Sequence, residues 1–118
     1  MTPPEPAAPT IPTSAPAAWV DAAAMSAFDA TDAIQVAIGE HEIAVYLVAG
    51  ELFATDNRCT HGAARLCHGT LFGHEIECPH HQGRFDIRSG EATFAPAKRP
   101  LRTYAVRLDG ERVLLAIP

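Results

Sequence analysis

Four side chains in two short clusters hold the chemistry of this chain. Cys59 and His61 stand in Cys59-Thr60-His61-Gly62, and Cys78 and His81 in Cys78-Pro79-His80-His81-Gln82-Gly83. The spacing is Cys-x-His in the first cluster and Cys-x-x-His in the second, with sixteen residues between His61 and Cys78. Two thiolates and two imidazoles make a four-ligand metal site, and mixed sulfur and nitrogen ligation suits zinc or an iron–sulfur centre. Zinc accepts two Cys and two His at tetrahedral geometry, usually as Cys pairs followed by His pairs. Here each pair is mixed. A diiron cluster explains mixed pairs better, because one iron takes both cysteines and the other both histidines.

The elements around the clusters read as β. Ala33 to Ile38 and Glu42 to Val48 are short and rich in Val and Ile, with Gly39-Glu40 as a turn between them. Ala49-Gly50 turns the chain into Leu52-Phe53-Ala54. Gly73-His74 joins Thr70-Leu71-Phe72 to Glu75-Ile76-Glu77, directly between the ligand clusters. Two-residue connections of this kind signal hairpins. Near the end, Thr103 to Leu108 alternates, Asp109-Gly110 turns, and Arg112 to Ile117 returns. Asp21 to Phe28 is the one weakly helical stretch. Short strands at regular spacing predict an all-β antiparallel sandwich or barrel. The ligand clusters fall where strand pattern gives way to Gly and Pro, so they are loops on a rigid sheet.

At 118 residues the chain is one domain. Residues 1–16 hold six of the ten prolines and read as a disordered Pro/Ala-rich tail, with the folded domain at 17–118. No apolar run approaches the roughly 20 residues that span a bilayer, so no membrane partner is expected. Neither a basic n-region nor an apolar h-region opens the sequence. Three cysteines (Cys59, Cys67, Cys78) make a disulfide framework implausible and fit a reduced, cytoplasmic setting.

The net charge of −5 is unevenly spread. All nine Lys and Arg lie from Arg58 onward, and eight acids precede it. No basic stripe is available for nucleic acid. Two readings of the asymmetry remain open. Strand interlacing mixes the halves in space, or an acidic face steers a basic redox partner.

On these residues the sequence resembles the Rieske-type [2Fe–2S] ferredoxins, over roughly residues 18–118. More narrowly, Cys59-Thr60-His61-Gly62-Ala63-Ala64-Arg65-Leu66 and Cys78-Pro79-His80-His81-Gln82-Gly83-Arg84-Phe85-Asp86 resemble the ferredoxin components of bacterial aromatic-ring-hydroxylating dioxygenases. The resemblance implies a Rieske-type fold whose small cluster-binding part, about 57–100, is formed by two ligand loops. It implies one [2Fe–2S] cluster, with Cys59 and Cys78 on the inner iron and His61 and His81 on the outer iron near the surface. Ala95-Pro96-Ala97-Lys98-Arg99-Pro100 looks like the proline-containing third loop that covers the cluster in such proteins. The implied partners are an NAD(P)H-dependent flavin reductase and a terminal ring-hydroxylating oxygenase.

High-potential members of the family carry an extra cysteine in each ligand loop, joined as a disulfide; Ala64 and His80 stand there. Those members also place a Ser and a Tyr hydroxyl against the cluster, where this chain has Gly83 and Phe85. Fewer donors stabilise the reduced cluster less, which implies a potential toward the low end of the Rieske range, roughly −150 mV.

Other tempting residues are discounted. The spacing selects His81 over His80 as ligand and leaves His80 partly exposed beside the site. Cys67 reads as a small buried packing residue. His41, His68 and His74 read as solvated, and Arg84 and Asp86 as hydrogen-bonding supports of the second loop or as docking residues. No Ser-His-Asp or Cys-His arrangement and no phosphate loop is apparent, so no independent catalytic site is expected. Two rival readings stand beside the carrier: the Rieske small subunit of a nitrite reductase-like enzyme, and a structural zinc module that mediates protein contacts.

Overall fold

The computed structural model of the chain describes residues 18–60, 64–80, 82–95, 97 and 99–117. The tail expected at residues 1–16 lies outside them. Eleven strands run through the described residues: β1 Ala18–Ala24, β2 Ala33–Ile38, β3 His41–Val48, β4 Glu51–Asp56, β5 Thr70–Phe72, β6 Glu75–Glu77, β7 Arg84–Asp86, β8 Ala92–Phe94, β9 Thr103–Tyr104, β10 Val106–Asp109 and β11 Arg112–Ile117. They form three antiparallel sheets, ordered β1-β11-β10, β2-β3-β4-β9 and β5-β6-β7-β8. The fold is all-β, and the third sheet belongs to the smaller part that carries the ligand loops.

The strand β3 explains how the layers stack. Alternate residues of a strand point to opposite faces. Ile43 and Val45 enter one apolar cluster with Phe28, Val36, Ala54, Tyr104, Val113 and Leu115. Their neighbours Ala44 and Tyr46 enter a second cluster with Leu66, Ile76, Phe85 and Ile87. All four β3 residues are fully buried. The run Ile43-Ala44-Val45-Tyr46 is therefore apolar at every position because both faces of the strand are covered. Each fully buried residue of the Val, Ile or Phe class contributes about 1.5–3 kcal/mol.

The hairpin turns follow the sequence signals. Ile38 pairs with His41 around Gly39-Glu40, and Val48 pairs with Glu51 around Ala49-Gly50. Ala49 and Gly50 both have positive φ, 51° and 81°. That is the primed turn whose twist matches flanking strands, and Ala49 adopts it despite its Cβ.

Three expectations change. Asp21 to Phe28 is not helical: it is β1 through Ala24, then a 3-10 turn over Met25–Phe28. Eight residues are too few for an isolated helix, whereas β11 offers a ladder from Ala18↔Ile117 to Ala24↔Arg112, broken only by a register shift between Asp21 and Ala23. Thr103 to Leu108 is not one strand. The chain passes at Ala105 from β9, paired with β4, to β10, paired with β11, and so joins two sheets. Strands β7 and β8 were also not expected, because Arg84–Asp86 and Ala92–Phe94 are short and lack a clear alternation.

The two halves of the sequence do mix in space. Asp21 receives a bidentate pair from Arg112, and Glu42 pairs with Arg65 at 3.2 Å. Both join an early acid to a late base. The Asp21 carboxyl is held below its usual range chiefly by the Arg112 hydrogen bond.

Alkaline stability follows from two tyrosines. Burial raises Tyr46 well above its ordinary value of 10.0, and its hydroxyl shares a 3.0 Å hydrogen bond with Thr55. Burial, then a 2.5 Å hydrogen bond donated to Asp56, does the same for Tyr104. Both groups keep their protons in the fold after they would lose them in the unfolded chain. Their contribution is thus complete below about pH 10 and is lost as pH rises beyond it. Urea unfolding at pH 8 and near pH 11 is expected to show this loss, reduced in Tyr104→Phe; an equal loss in that variant would remove Tyr104 from the account.

Candidate metal centre

The first ligand loop begins where β4 ends. Asn57 accepts a 2.6 Å hydrogen bond from the Leu66 N–H, Arg58 and Arg65 form a bridge, and Cys59 N–H donates to Ala64 C=O at 2.9 Å. These contacts make a short antiparallel neck. The second loop is the connection between β6 and β7, which pair through Glu77↔Arg84. There Cys78 N–H donates to Gly83 C=O at 2.7 Å, and Gln82 N–H returns to Cys78 C=O at 3.1 Å. The two necks repeat one design. In each, a cysteine opens the loop and its N–H is fixed to the carbonyl five residues on.

Cys59 and Cys78 are 3% and 1% exposed and belong to the same apolar cluster. The structure brings these two together. The other two expected ligands, His61 and His81, lie outside the described residues. None of the three cysteines forms a disulfide. Two buried thiols at the mouths of matched necks fit a sulfur-ligated metal group, which needs thiolates held away from water at fixed positions.

The third loop ties the two ligand loops together. Pro96 and Lys98 fall outside the described residues, but their neighbours show the closure. Thr60 Oγ1 donates to the Arg99 carbonyl at 2.9 Å. Ala97 is buried against Gly83, where an added Cβ would lie 3.0 Å from both the Ala97 nitrogen and its Cβ. Gly83 is therefore a close-approach glycine, and a Ser at this position would push the third loop outward. Phe85 is fully buried in the cluster that contains both cysteines. Neither position carries a hydroxyl.

The remaining residues divide. His80 is exposed, as expected beside the site, and so is His68. His41 and His74 are not simply solvated. Both are half-buried, His41 against the Tyr104 hydroxyl at 3.2 Å and His74 edge-on to the Phe53 ring. Cys67 is half-buried rather than buried, with its N–H held by Asn57 Oδ1 at 2.8 Å. Arg84 supports the second neck by donating to Glu77 at 3.3 Å, and its guanidinium lies 4.2 Å from the Phe72 ring centre. Asp86 serves the next turn instead. It accepts from the Arg88 guanidinium, which is the main reason its carboxyl is held below the usual range. Asn57 was missed by sequence reasoning, as were the contacts that Thr60 and Ala97 make. Each acts through a contact between segments far apart in the chain, which no spacing reveals.

Residues 18–105 match the Rieske [2Fe–2S] domain. The chain belongs to that family. As a Rieske domain it carries one [2Fe–2S] cluster. The ferredoxin component of a naphthalene 1,2-dioxygenase system from Pseudomonas aeruginosa is 48% identical over 97 residues, or 82% of this chain and 93% of that protein. The solved Sphingomonas yanoikuyae B1 ferredoxin aligns with a TM-score of 0.78 at 37% identity, covering 84% of this chain and 98% of its own. A chain of the complex of reduced oxygenase and oxidized ferredoxin in carbazole 1,9a-dioxygenase aligns at 0.76 and 35% identity, covering 83% and 92%. Among the described residues of this Rieske domain, no helix is long and apolar enough to cross a membrane.

Proposed function

We propose that the chain is a one-electron carrier, passing electrons from an NAD(P)H-dependent ferredoxin reductase to the terminal oxygenase of an aromatic-ring-hydroxylating dioxygenase system. The observation that carries this reading is the pair of matched necks that deliver Cys59 and Cys78, both buried, into one apolar cluster. The similarity to the naphthalene dioxygenase ferredoxin component supports the choice of partners. In this reading Cys59 and Cys78 hold the inner iron, His61 and His81 the outer iron, and residues 17–118 form the carrier domain in the cytoplasm.

The bound cluster supplies a centre that gains and loses a single electron. The chain's own residues do the rest. Backbone hydrogen bonds in both necks fix the cysteines, so little rearrangement accompanies the charge change. Phe85, Leu66 and Ile76 exclude water from the cysteine side. Gly83 and Phe85 offer the reduced state no hydroxyl donor, which keeps the potential low. Among the described residues, the cleft beside the first loop does not suit an aromatic substrate. The cleft beside Cys59 and Thr60 is walled by Glu40, Glu42, Asp56, Arg58 and Arg102, whereas a ring-binding pocket is mostly apolar. In this reading catalysis belongs to the partner.

Anaerobic reduction followed by EPR tests the reading. A signal of mixed His/Cys ligation, two irons and two sulfides per chain, and a midpoint of roughly −150 mV are the expected results. A colourless protein with one zinc would overturn the carrier, and a clearly positive midpoint would overturn the low-potential assignment.

A further inference from the structure

The first ligand loop has a weakness at its return. The 3-10 turn Leu66–His68 starts from Arg65, which offers no side-chain cap. The leading N–H groups of such a turn have no partner within it. Asn57, nine residues earlier, takes both of them. Its carbonyl accepts from Leu66 N–H at 2.6 Å, and its side-chain Oδ1 accepts from Cys67 N–H at 2.8 Å.

Every polar group of Asn57 is in use. Its own N–H donates to the Glu42 carbonyl on β3 at 2.9 Å, and Nδ2 donates to Gln35 Oε1 on β2 at 3.1 Å. The residue is fully buried, which is rare for an amide and requires this complete pairing. One side chain thus joins β2 and the turn that closes the loop, two positions before Cys59. Cys59 N–H is itself held by Ala64, at the end of the segment that Asn57 anchors.

We propose that Asn57 is the positioning residue of the first ligand loop: its side-chain amide, locked between Gln35 and the Cys67 N–H, sets where the loop returns and hence where Cys59 presents its sulfur. This rests on Cys59 being a cluster ligand. Truncating the amide takes away the acceptor of the Cys67 N–H and the donor to Gln35, and the neck relaxes. Asn57→Asp keeps an acceptor for the Cys67 N–H but loses the Nδ2 donor to Gln35 Oε1 and buries a carboxyl group, so it does not restore the lock.

The test uses the cluster-loaded full chain. The rate of cluster loss to an iron chelator is followed by visible absorbance, and the EPR g-values of the reduced protein are recorded. Asn57→Ala is expected to lose its cluster at least about ten-fold faster and to show shifted g-values. Gln35→Ala, which removes the partner of Asn57 Nδ2 and leaves the Cys67 N–H bond in place, is expected to fall between Asn57→Ala and wild type. Cluster lifetime within two-fold of wild type and unchanged g-values in Asn57→Ala would overturn the proposal, as would a cluster lifetime in Gln35→Ala equal to that of wild type. Cys59→Ala separates the two layers of the argument. If it loses the cluster while Asn57→Ala keeps it, the positioning role fails and the ligand assignment stands. If Cys59→Ala keeps the cluster, the ligand assignment itself fails.

Discussion

His81→Ala yields a protein that cannot keep its cluster, while His80→Ala stays brown with two irons per chain. The two residues are adjacent, so the contrast tests position rather than general damage to the loop. The second neck fixes the frame. Cys78 N–H is bound to Gly83 C=O, and Gln82 N–H to Cys78 C=O, so the loop between them has one register. The Cys-x-x-His spacing makes His81 the proposed ligand, and His80 is exposed. Loss of an outer hydrogen-bond partner of a metal ligand already costs about 10–100-fold in affinity, and loss of a ligand costs more. Iron and sulfide content after purification under nitrogen is the measurement. Retention of two irons in His81→Ala with loss in His80→Ala would reverse the ligand assignment.

The motifs marked Cys59 and Cys78, which the fold buries in one apolar cluster, because Cys-x-His and Cys-x-x-His pairs are local and their residue types are rare together. The hairpins were legible for a similar reason: Gly39, Gly50, Gly73 and Gly110 all take the positive φ that a tight turn needs. Contacts between distant segments were not legible. Asn57 looks like an ordinary loop residue until Gln35 and Cys67 are placed beside it. The β1 strand hid behind an alanine-rich run, since intrinsic preference is a weak prior beside the ladder to β11. The same limit applies to His41 and His74, whose partners Tyr104 and Phe53 come from other strands. Sequence named the candidate ligands, and the fold shows what holds Cys59 and Cys78 in place.

The second large effect is expected at Gly90, far in sequence from either cysteine. Gly90 N–H donates to Asp86 C=O, and its own carbonyl accepts from Leu101 N–H, both at 2.7 Å. The second bond anchors the far end of the third loop to the turn between β7 and β8. Gly90 has φ +83°, and an added Cβ would sit 2.2 Å from the Leu101 carbonyl oxygen. Alanine therefore meets two penalties. Left-handed backbone costs about 1–2 kcal/mol for a residue with a side chain. Relief of the backbone overlap adds about 1–3 kcal/mol, since neither partner is a flexible side chain. Gly73→Ala is the internal control, because Gly73 also has positive φ, +62°, but nothing lies within 4 Å of the added carbon. Gly90→Ala is expected to be less stable than Gly73→Ala in urea unfolding and to lose its cluster to chelator faster. The anchor it breaks leads through Arg99 and Ala97 to Thr60 and Gly83, one contact in each ligand loop. Equal stability and equal cluster lifetime in the two variants would mean that the third loop does not depend on Gly90 for its place over the ligand loops.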